Sequence, residues 1–118
     1  MYGVPSDLDL SHFQEGTCTQ LAIAEFQIQF HFHPSGSISV EGRWELRDPG
    51  GQIIDRSMQP PDRDSYKLHR IVGKSVDTTF LNAPDSFGLI FNNGYTLEIF
   101  DDSQNFETCQ IAPTGVII

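Results

Sequence analysis

The chain has 118 residues, 38% of them hydrophobic, and 16 acidic side chains against 7 basic ones give a formal net charge of −9. That length suits one domain, able to hide roughly 65% of its unfolded surface without metals or disulfides. The charge repels phosphate backbones and argues against nucleic-acid binding, and no apolar run approaches the roughly 20 residues that span a bilayer. The segment from Met1 to Asp7 lacks a basic region followed by an apolar stretch, so a soluble, cytoplasmic protein without membrane contact is expected.

The first segment, Leu10-Ser11-His12-Phe13-Gln14-Glu15-Gly16, is a short apolar approach ending at Gly, either a turn of helix or an extended lead-in. Thr17-Cys18-Thr19-Gln20-Leu21-Ala22-Ile23 follows as a first strand, rich in residues that fit a pleated surface. From Phe26 to His33 the chain alternates. Phe26, Ile28, Phe30 and Phe32 point one way, and Gln27, Gln29, His31 and His33 the other, as in a strand with one buried face. A three-residue turn at Pro34-Ser35-Gly36 predicts a hairpin in which His33 faces Ser37, Phe32 faces Ile38 and Phe30 faces Val40. Arg43-Trp44-Glu45-Leu46 reads as an aromatic strand, and Gln52-Ile53-Ile54, after the Pro49-Gly50-Gly51 turn, as a short apolar one. Residues 55–65 hold two prolines and many charges, which deny them a ladder and mark a crossover loop.

Beyond that loop the order repeats. Leu68-His69-Arg70-Ile71-Val72-Gly73 echoes the first approach, and the stretch from Lys74 to Leu81 echoes the first strand. Phe87-Gly88-Leu89-Ile90-Phe91 and Leu97-Glu98-Ile99 form a second hairpin about Asn92-Asn93-Gly94, with Phe91 opposite Tyr95, Leu89 opposite Leu97 and Phe87 opposite Ile99. The numbers of Ile28 and Phe87 differ by 59, as do those of Phe30 and Leu89, Phe32 and Phe91, Ile38 and Leu97, and Val40 and Ile99. Asn105-Phe106-Glu107-Thr108 and the run from Pro113 to Ile118 mirror the closing strands of the first half. Self-similarity at a fixed period marks a duplicated supersecondary unit. The expectation is therefore an all-β single domain of two pseudo-symmetric repeats, about 10–54 and 66–118, with short helical turns near 10–15 and 68–72. Roughly four strands per repeat would form a β-sandwich or partly open barrel around Phe26, Ile28, Phe30, Phe32, Ile38, Val40, Trp44, Phe87, Leu89, Phe91, Leu97, Ile99 and Phe106.

With those elements assembled, four stretches carry a resemblance: Glu25 to Phe30, Ser39 to Leu46, Leu68 to Gly73, and Ile99 to Glu107. The chain resembles an uncharacterised bacterial family of small duplicated β proteins, a domain of unknown function. That resemblance covers most of the chain from about Pro5 onward and implies a small bacterial protein with no assigned activity, cofactor or catalytic residues.

Among individual residues, His31 and His33 are the metal candidates, because side chains two apart on a strand share a face and imidazoles there can converge on Zn or Ni. Glu41 and Glu25 are the further ligands on that parity, and a solvated polar face explains the same alternation. Asp101-Asp102-Ser103-Gln104-Asn105 with Glu107 is rich in oxygen but lacks the Gly and ligand spacing of a calcium loop, and reads as a turn. Glu45 and Glu107 follow the matched aromatics Trp44 and Phe106 and could form an acid–base pair, yet strand parity turns each toward water. Cys18 and Cys109 have no metal-ligand spacing and read as buried small hydrophobes, while His12 and His69 read as partly exposed turn residues.

No nucleophile elbow or phosphate loop is present, and no cofactor is implied. The leading expectation is a non-enzymatic binding or protein-interaction module whose acidic surface receives a basic protein, an immunity or antitoxin-like role being one instance. The alternative is a small-ligand or metal-binding β module. The apolar tail Gly115-Val116-Ile117-Ile118 is expected to pair within the sheet, with a homodimer as the second choice.

Overall fold

The computed structural model describes residues 3–24, 27–57, 67–101, 109–112 and 116–117. Their order is a 3₁₀ turn at Ser11–Phe13, β1 (Thr17–Ile23), β2 (Ile28–His33), β3 (Gly36–Val40), β4 (Trp44–Arg47) and β5 (Ile53–Arg56). A second 3₁₀ turn at Leu68–Ile71 precedes β6 (Val76–Asn82), β7 (Ser86–Phe91), β8 (Thr96–Phe100), β9 (Cys109–Ala112) and β10 (Val116–Ile117). The protein is all-β. Its strands form two open sheets, ordered β1-β2-β3-β9-β10 and β5-β4-β8-β7-β6, with every pair antiparallel. Among the described residues no helix is long and apolar enough to cross a membrane.

The alternation read from the sequence decides which face each strand buries. Ile28, Phe30 and Phe32 on β2, Ile38 and Val40 on β3, and Cys109 and Ile111 on β9 turn inward from the first sheet. Trp44 and Leu46, Phe87, Leu89 and Phe91, and Leu97 and Ile99 do so from the second, and all of them belong to one cluster. The Phe32 and Phe91 rings stack with centroids 6.4 Å apart, and Phe13 meets Phe32 edge-on at 5.3 Å, so the two sheets and the first 3₁₀ turn share one aromatic contact chain. Leu10, Phe13, Leu68 and Ile71 of the approach segments are buried in the same cluster. Of the expected core, Phe26 and Phe106 lie outside the described residues.

Three expectations are corrected. In the first hairpin Phe30 faces Ile38, His31 faces Ser37 and Phe32 faces Gly36, a slip of two residues from the predicted register. Gly36 joins the strand and Ser35 folds down onto Gly16, where a Cβ would collide with the Ser35 hydroxyl. A two-residue slip returns every side chain to its own face, which is why burial was unaffected. The second hairpin has the expected register. The crossover starts later than residue 55, because Asp55 and Arg56 pair with Leu46 and Glu45 as part of β5. Finally, five strands rather than roughly four lie on either side of residues 58–66 among the described residues.

Where the two sheets meet at their edges, β1 and β6 start side by side through a bridge between Thr17 and Ser75. Glu15 N–H donates to the Val76 carbonyl at 2.8 Å and Gly73 N–H to the Cys18 carbonyl at 2.7 Å. Val76 N–H donates to Gly16 at 2.9 Å and Cys18 N–H to Lys74 at 3.0 Å. Both chain reversals need a left-handed residue, Glu15 at φ 68° and Gly73 at φ 85°.

Candidate functional site: the outer face of the second sheet

Parity places Glu45 opposite Glu98 on the face of the second sheet that turns away from the core. Two carboxylates directly across a strand pair repel each other unless a cation lies between them. Arg47, two residues along β4 and therefore on the same face, supplies it. Its Nη1 donates to Glu98 Oε1 at 2.6 Å and its Nη2 to Glu45 Oε1 at 2.7 Å. The remaining oxygens are also occupied: Arg43 Nη2 donates to Glu45 Oε2 at 3.0 Å, and Ser86 Oγ donates to Glu98 Oε2 at 2.6 Å. Arg43 in turn lies 4.0 Å over the ring of Phe100, a cation–π contact that holds its guanidinium in place.

Burial gives this network its weight. Glu45 is 7% and Glu98 8% exposed although both are on the outer face, so the expectation that Glu45 faces open water is corrected. The side chains of Arg43 and Arg47 roof the carboxylates, and Ser86 is fully buried beneath them. Beside them Phe80 lies against Gly88, where a Cβ would strike its ring, and Ile90 and Phe100 are half-buried. The result is a near-neutral centre of paired charges and apolar rings. Asp48, Asp77 and Asp85 lie within or just beyond the strands at its margins.

Chemically, each carboxylate oxygen is engaged by a cation or a hydroxyl, so the pair is held as a charge-assisted lattice. The expected partner in an acid–base pair, Glu107, lies outside the described residues, and the carboxylate that meets Glu45 is Glu98. Repeat position matches Glu45 with Glu107. The usable signal was a second charged residue on an apolar hairpin, since Glu98 sits at the outward position between Leu97 and Ile99.

The outer face of the first sheet is uncharged along β2. His31 Nε2 donates to Gln29 Oε1 at 3.1 Å, and Gln29 Nε2 donates to Gln27 Oε1 at 3.1 Å, a relay down one face of the strand. It ends at a cleft of about 70 Å³ lined by Gln27, Ser39, Glu41, Cys109 and Gln110. His31 lies opposite Ser37 and His33 opposite Thr17, and no group of three His, Cys, Asp or Glu able to hold a metal occurs among the described residues. Glu25 and residues 102–107 of the oxygen-rich run lie outside the described residues.

Both cysteines are buried and free. Burial pushes the Cys109 thiol up to about 12, with the Asp101 carboxylate adding to the rise, and pushes the Cys18 thiol up to about 11 against a backbone hydrogen bond that lowers it. Neither is a nucleophile at neutral pH. His12 packs its ring 4.2 Å from that of Phe13, and His69 is exposed.

Comparison with protein-family models, curated proteins and solved structures gives no significant match.

Proposed function

We propose that the protein is a non-catalytic interaction module that binds a basic protein partner through the outer face of β4, β8, β7 and β6. The observation that carries this reading is the Arg43–Glu45–Arg47–Glu98–Ser86 network. It is fixed before any partner arrives, it leaves no carboxylate oxygen without a donor, and it is set among Phe80, Ile90 and Phe100. Aromatic side chains and arginines at the centre of a patch with a charged rim are the composition of binding hot spots. The acidic margin, on a chain of net charge −9, steers a basic partner toward that centre.

The scaffold presenting this face is read as a duplicated unit in a sandwich of two sheets. Glu15 to Val76 and Gly73 to Cys18 are the same hydrogen bond with donor and acceptor numbers displaced by 58, and so are Val76 to Gly16 and Cys18 to Lys74. The Thr17–Ser75 bridge, with its hydroxyls 3.2 Å apart, maps onto itself under that displacement and lies on the pseudo-twofold axis. Each sheet then combines three strands of one half with the closing strands of the other: β9 and β10 complete the first sheet, β4 and β5 the second.

The test is isolation of the tagged protein from its host lysate at low and at high salt, beside a Phe80→Asp variant and a His31→Ala/His33→Ala variant. A stoichiometric basic partner that is lost with Phe80→Asp and retained with the histidine variant is expected, weakening as salt rises. Recovery of the wild-type protein alone at every salt concentration overturns the proposal.

A second reading is favoured by the His31–Gln29–Gln27 relay and the cleft at its end, which offer amide, hydroxyl and carboxylate groups to a small polar ligand, with His31 and His33 available to a metal. Calorimetry with Zn or Ni is the check. A saturable heat lost in the double histidine variant supports this reading, and no saturable heat removes its metal form.

A further inference from the structure

Strand β1 is an edge of the first sheet, and past the contact at Cys18 no described residue pairs with its outward side. Ala24 N–H donates to the Gln27 carbonyl at 2.8 Å, which makes those two a hydrogen-bonded pair. The register alternates from there, so Ala22 turns its N–H and C=O toward Gln29 of β2, while Leu21 and Ile23 turn theirs outward. The side chains of those two residues, opposite Phe30 and Ile28, lie at the rim of the core, Leu21 half-buried and Ile23 48% exposed. Unpaired amides and uncovered apolar side chains thus belong to the same two residues.

Edge strands are ordinarily guarded by charge. The other long edge has such protection: Asp77 sits on β6, and Gln14 Nε2 donates to its carbonyl at 3.2 Å. Edge β5 carries the exposed Arg56, and β10 is two residues long. From Gly16 to Ala24 there is no charged residue at all. On a chain of net charge −9, most surfaces repel a second copy of themselves, and this edge does not.

We infer that β1 is a self-association edge, pairing antiparallel with β1 of a second copy of this chain across a twofold axis at Ala22. That register sets Leu21 against Ile23 of the second copy and Ile23 against its Leu21, apolar to apolar, with backbone hydrogen bonds between each pair. Ala22 meets its own counterpart as the close, non-hydrogen-bonded pair, with Cα atoms about 4.5 Å apart. The contact joins two first sheets into one continuous sheet and covers Ile23, and it leaves the outer face of the second sheet free for the partner proposed above. It does not depend on that partner.

Two measurements on the full chain test it. Sedimentation from micromolar to millimolar concentration is expected to show the mass rising from monomer to dimer, and Ile23→Lys to weaken association at least about tenfold. Ala22→Cys is expected to form an intermolecular disulfide on mild oxidation, because such a pair lies within disulfide reach, whereas Asn82→Cys at the end of β6 remains a thiol. The buried Cys18 and Cys109 keep the background low. A monomer mass throughout, a dimer indifferent to Ile23→Lys, or cross-linking of Ala22→Cys no faster than of Asn82→Cys overturns the inference.

Discussion

A single guanidinium decides whether two carboxylates can share the outer face of the second sheet. Arg47 bonds both Glu45 and Glu98, whose side chains are 9% and 11% exposed, while its own is 29% exposed. Removing it leaves two negative charges directly opposed and poorly solvated, offset only by Arg43 on Glu45 and the Ser86 hydroxyl on Glu98, a situation between the exposed and buried limits and worth about 1–3 kcal/mol. Arg47→Met is therefore expected to lower the urea midpoint, and adding Glu45→Gln and Glu98→Gln to restore most of the loss, because the cost lies in the repulsion between the opposed charges. A triple variant as unstable as the single one would place the cost in lost packing of the arginine stem.

The thiols supply a prediction with a fixed sign. Their folded-state values, about 11 for Cys18 and about 12 for Cys109, lie above the ordinary value of 9.0, so the folded protein holds these protons where the unfolded chain releases them. The stabilisation is complete below pH 9 and lost as the pH rises from there toward 12. Thermal melts across that window should fall more steeply for the wild-type protein than for the Cys18→Ala/Cys109→Ala variant. Equal slopes would show that other groups carry the alkaline loss.

At the scale of elements, Gly88 shows why β7 needs its gap in the outer face. A Cβ there meets the Phe80 ring and, at 2.8 Å, the Leu97 carbonyl of the neighbouring strand. The ring can swing aside but the ladder carbonyl cannot, so Gly88→Ala is expected to cost about 1–3 kcal/mol by overpacking. Phe80→Ala made on top of it should recover only part, as read by denaturant midpoints. Full recovery would mean that Phe80 alone sets the constraint.

The same strands show how far the sequence could be read. Alternation at period two sorts Ile28, Phe30 and Phe32 from Gln29, His31 and His33, because one buried face imposes that pattern, and it finds the inward residues of β7 and β8 although Ser86, Gly88 and Glu98 beside them are buried too. It carried no information on which strand lies alongside. Glu45 and Glu98 are 53 positions apart and meet only because β4 crosses to β8. The turn at Pro34-Ser35 was legible as a turn, but not its register, since a slip of two conserves the faces. By its prolines and charges the run from residue 55 to 65 reads as a crossover loop, yet Asp55 is in a strand. It is 3% exposed in β5, past a bulge between Leu46 and Arg47, where its carboxylate accepts the N–H of Arg56 at 2.9 Å and of Lys67 at 2.6 Å. Nothing in period-two patterning anticipates a carboxylate that satisfies a backbone donor twelve residues on.

For the whole molecule, the crossed connectivity makes stability a property of the full chain. The first sheet needs β9, which comes after the entire second sheet in sequence, and the second sheet needs β4, which comes before it. Neither sheet can be completed from one stretch of chain: six of the eight described strand pairings join consecutive strands, but the two that complete the sheets, β3 with β9 and β4 with β8, join distant ones, so loop-closure entropy must be met before those two ladders stabilise anything. Ile111 is the point at which to test this. It is 1% exposed on β9 opposite Ile38. Ile111→Ala removes its packing from the common core and is expected to cost about 2–5 kcal/mol. If the sheets are one cooperative unit, that loss lowers amide protection in β7 and β8 of the other sheet as much as in β2 and β3, and the far-ultraviolet and Trp44 fluorescence transitions move together. Protection that falls in β2 and β3 while β7 and β8 keep theirs would separate the sheets into independently opening units, and the shared cluster of Phe32 and Phe91 would then be a contact between them and not the centre of one core.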